Sequence, residues 1–361
     1  MIRVALLAWI IATAQGKPAA PEDWAANDIR LNKLDSLIPH SAGIIVAVID
    51  TGIDPGHPSL KGHLWTNASE RINGRDDDGN GFIDDVHGWD FVEGTGNLSD
   101  RHGHGTHIAG IIHSTAPQAR IMVLKYYDAG LAPTKTIENT VASIHYAIQM
   151  GAHIINYSAG GSSYSEEEHA ALKLAGEKGI LVVAAAGNEG ADSGLLPYYP
   201  ASYPLANILS VTAHGANRKI LKTSNYGAAS VDISAPGEKI LSALPGGATG
   251  FMTGTSQATA FVSGIAAHTW SRFPRISSPA EMKQHLLATA IQEAGHLRRT
   301  KLGVRLDAYQ AVKMAPEDKT PVKIMRSKVD REPSSPPTVT ELAERIGRAA
   351  IKKAAPKSGP G

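Results

Sequence analysis

The 361-residue chain predicts an α/β fold with a mostly parallel central sheet and helices on both faces. Short apolar runs rich in β-branched residues recur at 44–50, 120–125, 152–157 and 180–186. Stretches of helical character separate them at 104–115, 135–151 and 165–179. The strand runs are apolar throughout rather than alternating, as expected of strands covered on both faces.

Each element has its own warrant. The run at 44–50 ends on Asp50, followed by Thr51-Gly52, and in parallel sheets functional groups gather at such carboxyl ends. In 135–151, Ile137, Val141, Ile144 and Ile148 recur at helical spacing. Gly254-Thr255-Ser256 supplies a flexible approach to a further helix at 255–272. A last globular piece runs through 278–290 and closes near Arg305-Leu306-Asp307-Ala308.

Both ends differ from this middle. Met1-Ile2-Arg3 is short and basic, 4–11 is apolar, and Ala12-Thr13-Ala14 fits a small-x-small cleavage site. Residues 1–14 are therefore expected to be a signal peptide, followed by an N-terminal segment at 15–39 and a domain at 40–315. The apolar run is too short to span a membrane, and no other segment reaches that length. The expected product is a soluble monomer, secreted or periplasmic. Beyond Ala315 prolines, lysines and arginines dominate, with Ser334-Ser335-Pro336-Pro337 among them. Residues 316–361 read as a disordered basic tail, in which 340–353 could form one short helix.

Composition narrows the function classes. Lys and Arg number 35 against 34 Asp and Glu, so charge argues for no nucleic-acid partner. The chain has no cysteine, which removes disulfides, thiol nucleophiles and thiolate metal sites.

Three segments carry chemistry: Val48-Ile49-Asp50-Thr51-Gly52, His104-Gly105-Thr106-His107 and Gly254-Thr255-Ser256-Gln257-Ala258. They supply a carboxylate, an imidazole and a hydroxyl in the order Asp, His, Ser. An imidazole can take the proton of Ser256, and Asp50 can fix its tautomer and stabilise the imidazolium. Oxyanion donors are expected from the Ser256 N–H at its helix start and from the side-chain amide of Asn188, in Ala185-Ala186-Gly187-Asn188-Glu189-Gly190. Each piece alone is common punctuation; their combination at element ends is not.

These segments, with Val262 and Gly264 downstream of the serine, resemble the subtilisin-like serine protease family (subtilases) over about residues 40–312. The resemblance implies a three-layer subtilisin-like fold. It also implies serine endopeptidase activity on protein or peptide substrates through Asp50, His104 and Ser256, with Asn188 at the oxyanion. It places an extended substrate against Ser158, Ala159, Gly160 and Gly161. It places Ala185, Ala186 and Gly187 in the wall of the primary side-chain pocket. Tyr199-Pro200 matches a pair often cis in relatives. Tyr198, near the pocket base, is small in many relatives, so a shortened pocket is expected here.

The chain departs from the family pattern in places. Gln257, Ala260 and Phe261 replace a common Met and a Pro-His pair. None of the three transfers protons, so activity should survive. Many relatives carry a long pro-region; only residues 15–43 separate the signal from the first strand.

Two alternatives belong beside this expectation. A catalytically silent homologue could use the cleft to bind peptides. A metallo-hydrolase could ligate a metal through His102, His104 and His107. That motif normally has Asp where Thr106 stands, and it leaves Asp50 and Ser256 unexplained.

An acidic insertion precedes His104. Asp76, Asp78 and Asn80 alternate, Gly81 gives a sharp turn, and Phe82 and Asp84 follow. This is the first part of a calcium loop with oxygen ligands, so structural calcium is expected. The glutamate that would close such a loop is absent, and His87 stands there. By the resemblance, a commoner calcium site is damaged, with Ser59 where relatives often place Asp.

Overall fold

The computed structural model describes residues 23–34 and 43–316; the signal peptide expected at 1–14 and the tail beyond Pro316 lie outside them. The elements are α1 (Trp24–Asp28), β1 (Ile45–Asp50), β2 (Gly88–Asp90), α2 (His104–Thr115), β3 (Arg120–Lys125) and α3 (Pro133–Gln149). There follow β4 (Ile154–Tyr157), α4 (Glu166–Glu177), β5 (Leu181–Ala185), β6 (Ile208–His214), β7 (Ile233–Pro236), β8 (Ile240–Leu244) and β9 (Ala248–Met252). The last are α5 (Thr255–Arg272), α6 (Pro279–Thr289), β10 (Ile291–Gln292), β11 (Val304–Arg305) and α7 (Ala308–Lys313).

Among the described residues, nine strands form one sheet in the order β10-β11-β7-β6-β5-β4-β1-β3-β2. Only β10 and β11 pair antiparallel within it. β8 and β9 form a separate antiparallel hairpin that leads into α5. β1 lies between β3 and β4, so the winding reverses there. Sites in open α/β sheets collect outside the carboxyl ends at such a reversal, and Asp50 is the last residue of β1.

The two-residue period of β1 separates the two cores. Val46 and Val48 pack with Ile108 and Ile112 of α2 and Val262 and Ile265 of α5. Ala47 and Ile49 face the other way, toward Ile144 of α3 and Leu172 of α4. The expected mostly parallel sheet with helices on both faces is the observed one. β6 is buried throughout but carries Ser210, Thr212 and His214, which break the apolar run. Their partners come from elsewhere: Asp232 accepts from the Ser210 N–H, Thr212 donates to the Asn225 carbonyl, and His214 meets Asp28.

Helix α5 is buried from Thr255 to Ser271. Small residues let it approach α2. A Cβ on Gly264 would stand 1.7 Å from Thr115 Oγ1, so the Thr115 side chain of α2 packs directly on the backbone of α5 there. Residues 23–34 are part of the same body, because Ala25, Ile29 and Leu34 join the α2–α5 core. Asp28 anchors them through His214 (3.0 Å), Arg218 (2.9 Å) and Arg305 (3.2 Å). Burial would raise its carboxyl, but these partners outweigh it and hold Asp28 down to about 2.

Candidate active site

Asp50 leaves the end of β1 with 3% of its surface exposed. Its Oδ1 accepts from the Thr51 N–H (2.8 Å) and from His104 Nδ1 (2.7 Å). Its Oδ2 is buried and makes no hydrogen bond among the described residues. His104 is the first residue of α2, and Gly105 lets that turn touch β1. A Cβ at Gly105 would sit 2.1 Å from the Gly52 carbonyl oxygen. The Asp50 bond assigns the Nδ1–H tautomer and leaves Nε2 as an acceptor.

Burial by itself would lower the His104 imidazole, but the charge and hydrogen bond of Asp50, with the charge of Asp100, outweigh it. The net shift is upward. His107, one turn on, goes the other way, to about 4. Burial and the neighbouring His104 push it down, and its Nε2 meets only the carbonyls of Ile240 (3.0 Å) and Gly250 (3.2 Å).

Ser256 is the second residue of α5. Its Oγ donates to the Ser158 carbonyl at 2.8 Å, not to His104. Ser158 Oγ answers by donating to the Ser256 carbonyl (3.1 Å) and accepts from Asn156 Nδ2 (2.9 Å). Ser263 Oγ donates to Asn156 Oδ1 (2.8 Å) and closes the chain back on α5. Ser158 therefore ties the end of β4 to the serine helix. Catalytic hydrogen bonds are often unformed without substrate, so the serine's rotamer does not separate it from His104.

Gly254, before α5, offers no side-chain cap, and Asn188 caps the helix from a distant loop. Its Oδ1 accepts from the Thr255 N–H (2.9 Å) and Thr255 Oγ1 (3.2 Å). That fixes the amide so that Nδ2 is the end left available. Asn225, 1% exposed, holds the Asn188 loop in turn. It accepts from the N–H groups of Glu189 (3.1 Å) and Ala191 (2.9 Å) and donates to the Ala186 carbonyl (2.9 Å). Asn225 stands at no distinctive spacing, and Thr255, though inside the serine's segment, carries no local sign of its bond to Asn188.

The expected pocket residues divide. Ala185, Ala186 and Gly187 are buried at the end of β5, Ala159 is half-buried and Gly160 is exposed. Gly161 pairs with Tyr199 through two bonds of 2.9 and 2.7 Å, and Tyr199-Pro200 is cis. Tyr198 lies between the two walls. Its ring reaches 2.6 Å from where a Cβ on Gly160 would sit and 2.9 Å from that of Gly187. Burial, then Glu189, pushes its phenol above the ordinary value.

In the acidic insertion, Glu70, Asp76 and Asp78 bring ligand oxygens within 4.8 Å of one another. No other such group of three occurs among the described residues, and His102, His104 and His107 do not form one. Asp84 faces the Asn73 and Gly74 N–H groups (2.8 and 3.0 Å). Asn80 turns its Nδ2 to Asp85 (2.9 Å), and Phe82 packs its ring on Trp89 and Tyr146. Glu70, 6% exposed, was not legible because it lies six residues before the alternating run.

A sequence model described as the subtilase family matches residues 41–317. The chain belongs to the subtilase family. It is 33% identical over 282 residues to a thermophilic serine proteinase of Bacillus sp. (strain AK1), covering 75% of this chain and 62% of that protein. Its match to thermitase of Thermoactinomyces vulgaris is 34% identical and covers 63% of this chain and 75% of thermitase. Among solved structures, a cold adapted subtilisin-like serine proteinase superposes with a TM-score of 0.63 at 25% identity, covering 79% of this chain and 97% of that one. These relatives support serine-type endopeptidase activity for the subtilase. No helix of the described residues is long and apolar enough to cross a membrane.

A general base must be neutral to accept a proton, so the upward shift of His104 gives the expectation that it is the base a measurable consequence. The kcat/KM for a peptide substrate should fall on acidification through one ionisation lying above the ordinary imidazole value. A pH–rate profile checks this; an acid limb below that value would contradict it.

Proposed function

We propose that this subtilase is a serine endopeptidase acting through Asp50, His104 and Ser256, with Asn188 as an oxyanion donor. The observation that carries the reading is the 2.7 Å bond from His104 to a buried Asp50. In this reading the Ser256 hydroxyl leaves the Ser158 carbonyl and donates to His104 Nε2. His104 takes the proton as Oγ attacks the substrate carbonyl. Asp50 keeps the imidazole in its tautomer and faces the imidazolium. The oxyanion meets the Ser256 N–H, one of the unpaired donors of a helix start, and Asn188 Nδ2. His104 then protonates the leaving amine, and water hydrolyses the acyl-enzyme by the same steps in reverse.

An extended substrate would lie along Ser158, Ala159 and Gly160. Tyr198 occupies space between that segment and Gly187, which supports a shallow pocket for small side chains. The expected compartment is outside the cytoplasm, and the expected state is a monomer.

Calcium is the metal the family suggests, and the insertion fits it in part. Three carboxylates converge, all donors are oxygen, and Asp76 is held below the ordinary carboxyl value by the N–H groups of Gly81, Gly79 and Asn80. Glu70, Asp76 and Asp78 would hold the ion; the residues at 80, 82 and 84 would contribute only by changing their present partners. The ion's part would be to neutralise the crowded carboxylates and fix the loop.

Three outcomes test these readings. A fluorophosphonate should label the wild type, and Ser256→Ala should lose both the label and activity, by at least about 10^4-fold. An unlabelled wild type would instead favour the silent peptide-binding homologue. Tyr198→Gly should shift cleavage on a peptide library toward large aromatic side chains; an unchanged profile would remove Tyr198 from the pocket. Chelation with EDTA should lower Tm, and Glu70→Gln should abolish that response; a Tm indifferent to chelator would end the structural role of calcium.

A further inference from the structure

Asp100, in the loop before α2, is 7% exposed and is not one of the three groups the chemistry requires. Yet its carboxylate gathers five hydrogen bonds. Oδ1 accepts from Thr51 Oγ1 (2.9 Å) and from the N–H groups of His102 (2.9 Å) and Gly103 (2.7 Å). Oδ2 accepts from the N–H (2.9 Å) and Oγ1 (2.7 Å) of Thr106. These donors come from both sides of the site. Thr51 follows Asp50 directly, and His102, Gly103 and Thr106 bracket His104.

The two hydroxyls extend the clamp. Thr51 Oγ1 also accepts from the Gly105 N–H (3.0 Å), and Thr106 Oγ1 from the Asp54 N–H (3.0 Å). The first turn of α2 is thereby tied to the end of β1 through one carboxylate. A cap on this scale is unusual in another respect: Gly103, the residue at the helix start, has no side chain to supply it. We propose that Asp100 is a positioning residue for the catalytic base: it locks the turn bearing His104 to the strand end bearing Asp50 and sets a second buried negative charge beside the imidazole. This inference rests on the reading of His104 as the general base.

The charge half of the inference depends on what else faces His104. Asp50 comes from β1, Asp100 and His102 from the preceding loop, and His107 from the next turn. The nearby cations are engaged elsewhere: Lys125 on Asp90 at 2.9 Å and Arg101 on Glu93 at 3.2 Å. Asp100 is thus a second anion acting on the imidazole, and its charge stabilises the imidazolium. Its own carboxyl stays ionised, because its donors overcome the cost of burial and hold it below the ordinary value.

The two halves can be separated by two variants of the full chain. Asp100→Asn removes the charge and turns an amide toward N–H donors. Its kcat should fall roughly tenfold with KM little changed, since misplacement of a catalytic group costs turnover rather than binding. Its acid limb should also move to lower pH, by about a few tenths of a unit. Thr51→Val keeps the charge but removes the hydroxyl linking Asp100 to Gly105. It should lower kcat with the limb unmoved. A lower Tm with kcat and limb both unchanged would make Asp100 merely structural and overturn the inference. If Asp100→Asn does not fold, Thr51→Val decides, and an unchanged kcat there overturns it. Labelling of wild-type Ser256 separates the two levels: a labelled wild type with indifferent variants defeats only this inference, whereas an unlabelled wild type defeats both.

Discussion

Burial of α5 on every side is the constraint on which the site depends. A helix packed against the sheet, α2, α6 and α7 cannot shift without disturbing all of them, so Ser256 at its second position has a fixed backbone. The cost is polar groups in the interior, and these need partners. Ser263 and Ser256 find theirs through Asn156 and Ser158 on and after β4. Thr259 returns its hydroxyl to the Thr255 carbonyl. Leaving one such group unpaired costs on the order of 1–3 kcal/mol, so the setting of Ser256 and the core's stability share the same bonds.

Electrostatics then distinguishes side chains that the sequence presents as alike. His104 and His107 are one helical turn apart, the first half-buried and the second buried. One faces carboxylates and is raised; the other is lowered by burial and by the neighbouring imidazole, which its two carbonyl partners do not offset. The same logic applies to the carboxylates at 50 and 100. Both are enclosed, but Asp50 spends one oxygen on His104, whereas Asp100 spends both on the scaffold around it. Reactivity follows from which partners arrive, and those partners come from separate elements.

Much of the fold was readable because its signals are local. Strands at 120–125 and helices at 104–115 and 255–272 match their apolar patterns to the residue. The weaker elements were not readable for physical reasons. β2, β10 and β11 have three residues or fewer, and β6 carries polar groups satisfied from distant segments. Likewise Asp50, His104 and Ser256 stand in motifs, while Asn225 and Glu70 do not, because their roles consist of bonds to residues far along the chain.

The sequence by itself determined the chemistry on offer: an acid, a base and a hydroxyl at element ends, a subtilase pattern around them, and no thiol. It did so because those groups must sit in short glycine-containing segments whose local geometry is written in adjacent residues. Tertiary structure alone decided how they are held. Distance in space set the rotamer of Ser256, the cap that Asn188 places on α5, the tie of Asp100 across two elements, and the ring of Tyr198 between Gly160 and Gly187. Each of these is a contact between segments far apart in the chain, and no local propensity encodes such a contact.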